Sequence, residues 1–246
     1  MKRTNALLGL VGIAALALIA GSAIAQNTPA TSPSKATQPE KVPKDKDQTK
    51  DKEKDKDHKK DKTAAGPANP GATAPDFTGT DTEGKTVSLA SLSKGDKIVV
   101  VQWFNFGCPF VVKHYGETKT FNDLYAKYHE KGVEFVAVCS SAPGQQGSGK
   151  EANTKMKKEW SIPYPIILDE EGVIGRAYGA TRTPQTIVIG KDGKVAYNGA
   201  PDDDKGSEKP GKTNYISKAL DELLAGTNVT MNKTAPYGCP VKYSKQ

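Results

Sequence analysis

The 246-residue sequence predicts an α/β domain with a central mixed sheet and helices on both faces, and three patterns point to it. First, KIVVVQWFNF (97–106) and VEFVAVCSS (133–141) are apolar runs rich in β-branched residues, suited to strands buried on both sides. Second, Val111, Val112, Tyr115, Phe121, Leu124, Tyr125 and Tyr128 recur between them at helical spacing, and Gly132 closes that segment. Third, TIVIG (186–190), a turn at Asp192-Gly193 and KVAYNG (194–199) form a hairpin pattern. An amphipathic helix follows near 213–225, with Ile216, Leu220, Leu223 and Leu224 on one face.

The remaining elements fit between these. PDFTGTDTEGKTVSLASL (75–92) reads as a short hairpin turning at Glu83-Gly84. A Gly, Ser and Gln-rich loop (143–149) leads into a polar helix around 150–160. IPYPIILD (162–169) is a strand pattern and EGVIGRAYGA (171–180) a short helix. Strand, helix, strand, helix, then an antiparallel hairpin and a closing helix, implies one sheet of mixed direction.

Ahead of this domain, residues 1–25 carry Lys2 and Arg3, a continuous apolar run, then small residues at Ala23 and Ala25. That is the layout of a secretory signal peptide, so the chain is expected to be exported, periplasmic or secreted. The membrane enters only if this segment stays uncleaved as an anchor. Residues 26–70 hold Pro, Thr, Ser, Ala, Lys and Asp, with Val42 as their one branched aliphatic, too little apolar surface to offset ordering entropy; they read as a disordered linker. The folded domain is placed at 71–227, with a C-terminal tail at 228–246.

The formal net charge is +7, but Lys2, Arg3 and the Lys/Asp-rich linker supply most of that excess. The folded part is near neutral, which argues against a nucleic-acid partner. Of the chemistry-bearing residues, the three cysteines stand out: Cys108, Cys139 and Cys239. An odd number in an oxidising compartment leaves a free thiol or a redox-active pair. They lie far apart in sequence, and His114 is the one histidine near any of them, so no metal site is assigned; no cofactor is called for either.

Cys108 falls where the apolar strand pattern gives way to the helix pattern, and Pro109 suits the first helical turn. Free backbone N–H groups at such a junction favour a thiolate, the requirement for a nucleophilic cysteine. TRTPQT (181–186) puts a Thr-Pro pair at the head of a strand, where proline is tolerated. Held cis, Thr183-Pro184 would leave a backbone edge beside the sulfur on which an extended peptide can pair.

From about Gly71 to Gly199 the sequence resembles the thioredoxin-like superfamily, in the branch of alkyl hydroperoxide reductase and thiol-specific antioxidant (redoxin) proteins. The pieces that carry this are GATAPDF (71–77), WFNFGCPF (103–110), TRTPQT (181–186) and GKVAYNGAPDD (193–203). GCPFV together with TAPYGCPVKY (234–243) further resembles a group of peroxiredoxin-like bacterial proteins. The resemblance implies a thioredoxin-like three-layer fold in which Pro184 is a cis-proline facing Cys108, preceded by Thr183.

The departures bear on activity. A thioredoxin-type dithiol would need a cysteine where Val111 stands. Peroxiredoxins have Thr or Ser at the place of Asn105, Pro at the place of Val101, and an Arg about where Pro184 stands. Asn105 can still offer peroxide a hydrogen-bond donor, but no fixed cation is matched. The expected activity is therefore thiol-disulfide exchange by nucleophilic attack from Cys108, on thiol or disulfide proteins, with an external electron donor. The alternatives are a hydroperoxide reductase acting on small peroxides, and a non-catalytic binding module. Cys239, in a mobile-looking tail whose GCPVK element belongs to the resemblance, is the preferred resolving thiol. Cys139, ending a strand next to that of Cys108, is the second candidate.

Overall fold

The computed structural model describes residues 68–245, so the signal peptide and nearly all of the linker expected above lie outside the described residues. The first elements are a hairpin, β1 (Thr78–Thr80) against β2 (Thr86–Ser88). The extended pattern expected to run to residue 92 stops at Ser88. Its hydroxyl accepts the Ser91 N–H at 3.1 Å and caps a one-turn helix, α1 (Leu89–Leu92).

The chain then enters β3 (Ile98–Trp103), buried at every position. Beyond it come α2 (Pro109–Val112), a π-helical turn (Lys113–Glu117), α3 (Thr120–Tyr128) and β4 (Val133–Cys139). The sequence predicts one continuous helix from 109 to 128, and the structure breaks it. Lys119 takes a left-handed φ of 51°, and the Thr118 hydroxyl turns back onto the Lys113 carbonyl at 2.6 Å. Both halves still reach the same core cluster, Val111 and Tyr115 before the break and Phe121, Leu124 and Tyr128 after it.

Next are α4 (Lys150–Glu159), β5 (Ile166–Leu168) and α5 (Val173–Ala177). They are followed by β6 (Arg182–Thr183), β7 (Thr186–Ile189), β8 (Val195–Gly199) and α6 (Tyr215–Leu224). The strand expected over 162–169 shortens to the three residues of β5.

The main sheet has the order β5-β4-β3-β7-β8; β3, β4 and β5 run parallel, β7 and β8 antiparallel to their neighbours. Alternation along β3 sorts the core. Ile98 and Val100 face a cluster containing Val111, Phe121, Leu124, Tyr128, Ile216 and Leu220, from α2, α3 and α6. Val99, Val101 and Trp103 face Phe77, Val87, Ile174 and Tyr178, from the hairpin and α5. This is the three-layer thioredoxin-like fold. Among the described residues no helix is long and apolar enough to cross a membrane.

The C-terminal tail departs from its sequence reading as mobile. Asn198 N–H donates to Asn232 O at 3.0 Å beside β8, and β9 (Cys239–Pro240) pairs antiparallel with β6. Farther on, Val241 N–H donates to Thr181 O at 3.1 Å, Ala142 N–H donates to Lys242 O at 2.8 Å, and the Tyr243 hydroxyl donates to Ala180 O at 2.9 Å. The tail is a strap across the end of the sheet.

Candidate active site

Cys108 is positioned by the end of β3. Phe104 N–H donates to Val138 O at 2.9 Å, extending the parallel pairing one residue past Trp103. The Asn105 side-chain oxygen then accepts Gly107 N–H at 2.9 Å, and Cys108 N–H donates to Asn105 O at 3.0 Å, turning the chain sharply. Cys108 is the N-cap of α2, with φ −88° and ψ 120°, and its carbonyl accepts the N–H groups of Val111 and Val112 at 2.9 Å each. Pro109 occupies the first helical position, where a missing N–H leaves nothing unsatisfied.

The facing loop arrives from β7. Gln102 pairs with Thr186, and Trp103 N–H donates to Gln185 O at 2.9 Å, so the end of β3 and the start of β7 share one edge. The Thr183–Pro184 bond is cis, and the Cys108 thiol donates to Thr183 O at 3.3 Å. Cys108, Thr183 and Pro184 thus meet, an arrangement expected above only through the family resemblance.

The strap brings the third residue. In the β6–β9 register, Cys239 stands opposite Thr183, the residue whose carbonyl accepts the Cys108 thiol, and it packs against the core cluster that contains Cys108. Burial, then the Cys108 sulfur, pushes the Cys239 thiol up to about 12, so in the dithiol form Cys239 holds its proton. No disulfide is formed; all three cysteines are free. Cys108 is 0% exposed, whereas Cys239 is partly exposed. The edge beside Pro184, expected to be open for a peptide, is taken by the chain's own β9.

Gly238 makes this approach possible. It adopts φ 106°, and a Cβ there would overlap the Thr183 carbonyl oxygen and meet Phe110. Glycine is needed for the strap to lie this close to β6.

Asn105 and Cys139 are occupied differently. The Asn105 amide donates to Gln146 O at 2.9 Å and to Ser141 Oγ at 3.3 Å, so both its hydrogens and its oxygen hold the loops ahead of Cys108. A role in donating to peroxide would have to break one of those bonds. Cys139 does end the strand parallel to β3, but its thiol donates to Gly147 O at 3.2 Å, and burial raises its pKa. Arg182 is exposed and donates to its neighbour Thr181 O at 3.3 Å.

Four residues beside the site escape any reading by local pattern: Lys113, His114, Asp202 and Tyr237. Lys113 and His114 are polar residues on the Cys108 helical segment, yet the side chains of both are 0% exposed. The Tyr237 hydroxyl donates to Asp202 Oδ1 at 2.6 Å and lies 2.8 Å from His114 Nε2. The Lys113 ammonium donates to Asp204 O and Gly206 O at 2.8 Å each, 4.7 Å from the Tyr237 ring centroid. Burial pushes His114 down to about 4, against the pull of Asp202 and with a further push from Lys113. The one sequence signal touching this cluster is the family resemblance carried by GCPFV together with TAPYGCPVKY, which includes Tyr237.

A cysteine opening a helix against a cis Thr-Pro loop, on a sheet of this order, defines a thioredoxin-fold thiol protein. More narrowly, the chain belongs to the Redoxin family, whose model matches residues 69–216. It is 34% identical over 128 residues to the thiol-disulfide oxidoreductase ResA of Bacillus thuringiensis subsp. konkukian, a match covering 51% of this chain and 66% of that protein. The chain therefore spans just under two thirds of the length of such relatives. A putative chloroplastic peroxiredoxin Q of Oryza sativa subsp. indica is 28% identical over 139 residues, covering 54% of this chain and 59% of that protein. Among solved structures, an uncharacterized conserved protein from Geobacillus kaustophilus superposes with a TM-score of 0.67 at 31% identity, covering 73% of this chain and 94% of that one.

Proposed function

We propose that this chain is an exported thiol-disulfide oxidoreductase in which Cys108 is the nucleophile and Cys239 the resolving thiol. The observation that carries the reading is the β6–β9 register, which sets Cys239 opposite Thr183 while the Thr183 carbonyl accepts the Cys108 thiol at 3.3 Å. The similarity to ResA supports disulfide chemistry, and the apolar N-terminal segment ending in small residues supports export.

In the reductive direction the Cys108 thiolate attacks a substrate disulfide, forming a mixed disulfide and expelling one substrate thiolate. Cys239, giving up its proton to that leaving group, then attacks the Cys108 sulfur; a Cys108–Cys239 disulfide forms and the second substrate thiol departs. Two electrons have passed from the protein dithiol to the substrate, and an external dithiol restores the starting state. Thr183 O orients the Cys108 thiol, and Asn105 holds the turn that aims it.

The test is turnover of the full chain on a peptide disulfide with a dithiol donor, compared with turnover on hydrogen peroxide. The disulfide reaction should fall to the uncatalysed rate in Cys108→Ser, and Cys239→Ser should accumulate a mixed disulfide on Cys108. Peroxide-driven turnover exceeding the disulfide reaction would instead assign a hydroperoxide reductase. Function undiminished in Cys108→Ser would assign a binding module.

A further inference from the structure

The four-residue cluster of Lys113, His114, Asp202 and Tyr237 has no part in the electron transfer described above, yet it joins three separate parts of the site. Lys113 and His114 follow Cys108 on its own helical segment; Asp202 comes from the loop after β8; Tyr237 lies two residues ahead of Cys239. Asp202 is itself held in place, accepting Gly211 N–H at 2.6 Å on Oδ2 and Asp204 N–H at 3.2 Å on Oδ1.

Since the Tyr237 hydroxyl donates to Asp202, it accepts from His114 Nε2–H, and His114 Nδ1 is left bare, without a hydrogen-bond partner. Phe110, from the helix that Cys108 caps, packs its ring 6.0 Å from that of Tyr237. A buried group tied by a carboxylate, an imidazole, an ammonium and an aromatic ring has one place to sit, and burying such charges is a weak source of stability. What the arrangement does supply is position. With Tyr237 fixed, Gly238 turns the chain against Thr183, and Cys239 arrives beside Cys108.

We infer that Tyr237 is a positioning residue, and that its cluster with Asp202, His114 and Lys113 is a latch. Closed, it sets Cys239 against Cys108 and denies the β6 edge to outside peptides; open, it exposes both. This inference rests on the proposed roles of the two cysteines. It accounts for a nucleophile with no exposed surface: a polypeptide substrate must displace β9 to reach Cys108, while the partly exposed Cys239 remains within reach of a small thiol.

The test uses the full chain and two thiol readouts, site-resolved alkylation of Cys108 by iodoacetamide and the glutathione equilibrium of the Cys108–Cys239 disulfide. Tyr237→Phe keeps the ring and removes both hydroxyl bonds. It should raise the Cys108 alkylation rate about tenfold and lower the effective concentration of Cys239 by a similar factor, as expected for a lost bond to a charged partner. Leu220→Ala weakens the core under α6 and should change neither readout below its melting temperature.

If Tyr237→Phe lowers only the melting temperature, with both thiol readouts unmoved, the residue is merely structural and the inference falls. In the unmodified chain, Cys108 alkylation should match the rate at which the Val241 amide opens to hydrogen exchange; alkylation at the rate of an unhindered thiol overturns the latch. Failure of the redox reading looks different. If no Cys108–Cys239 disulfide forms, yet Tyr237→Phe still speeds alkylation, the latch stands and the assigned chemistry does not.

Discussion

The central sheet and the C-terminal strap hold their shapes by different physics. In β3 every residue is buried and apolar neighbours fill both faces, so many small contacts share the stability and no single one decides it. The strap has little regular structure. It is pinned at discrete polar points: Asn232 beside β8, Tyr237 in the charged cluster, Cys239 on β6, and Tyr243 against Ala180. A structure pinned at points can be released at a point, which is what the proposed nucleophile, buried as it is, would require. The sheet sets where Cys108 sits, and on the proposed reading the strap sets when it is reachable.

The sharpest way to break this contrast is Asp202→Asn, which leaves the Lys113 ammonium in the interior without its carboxylate 3.9 Å away. The expected loss is about 3 kcal/mol or more in urea unfolding, far above that of an exposed ion pair. A loss under 0.5 kcal/mol would mean that the cluster is solvated. Protonation makes the next largest difference. His114 has an ordinary value of 6.5 and a folded value near 4, so above pH 6.5 both folded and unfolded chains carry it neutral. As pH falls from 6.5 toward 4, the unfolded chain takes up a proton that the folded chain refuses, and stability is lost over that window, by up to about 3 kcal/mol. His114→Gln should flatten the curve of stability against pH there.

A smaller effect is expected from Gly238→Ala, whose methyl group would overlap Thr183 O at a φ of 106°. The cost of about 1–3 kcal/mol falls on strap docking, so Cys108 alkylation should rise while the sheet amides keep their hydrogen-exchange protection. The least disruptive change is Cys139→Ala, on the sheet side. It removes one buried sulfur and its bond to Gly147 O, costs about 1 kcal/mol, and should leave disulfide turnover unchanged.

The same contrast explains what the sequence made legible. β3, β4, β7, β8 and α6 are written locally, as apolar runs or a helical stripe, and each was placed to within a few residues. The break at Lys119 went unread because the spacing is helical within each half; only the step from Tyr115 to Phe121, six residues and about 240° around a regular helix, marks it. Cys108 was readable from its strand-to-helix junction, but its meeting with Thr183, 75 residues on, needed the family resemblance. The latch joins His114 to Tyr237 across 123 residues and buries charges that local composition assigns to the surface. No periodicity encodes a contact of that kind. The strap's Pro, Lys and Tyr content resembles that of a free tail for the same reason: its order comes from partners elsewhere in the chain.

The central claim is that Cys108 and Cys239 are one redox pair with Cys139 outside it. Mild oxidation of the folded chain with diamide, followed by mass mapping of disulfides, tests this directly. The account predicts an intramolecular Cys108–Cys239 bond with Cys139 still alkylatable after unfolding. A Cys139–Cys239 or Cys108–Cys139 bond, or a dimer linked through Cys239 with Cys108 reduced, would contradict it.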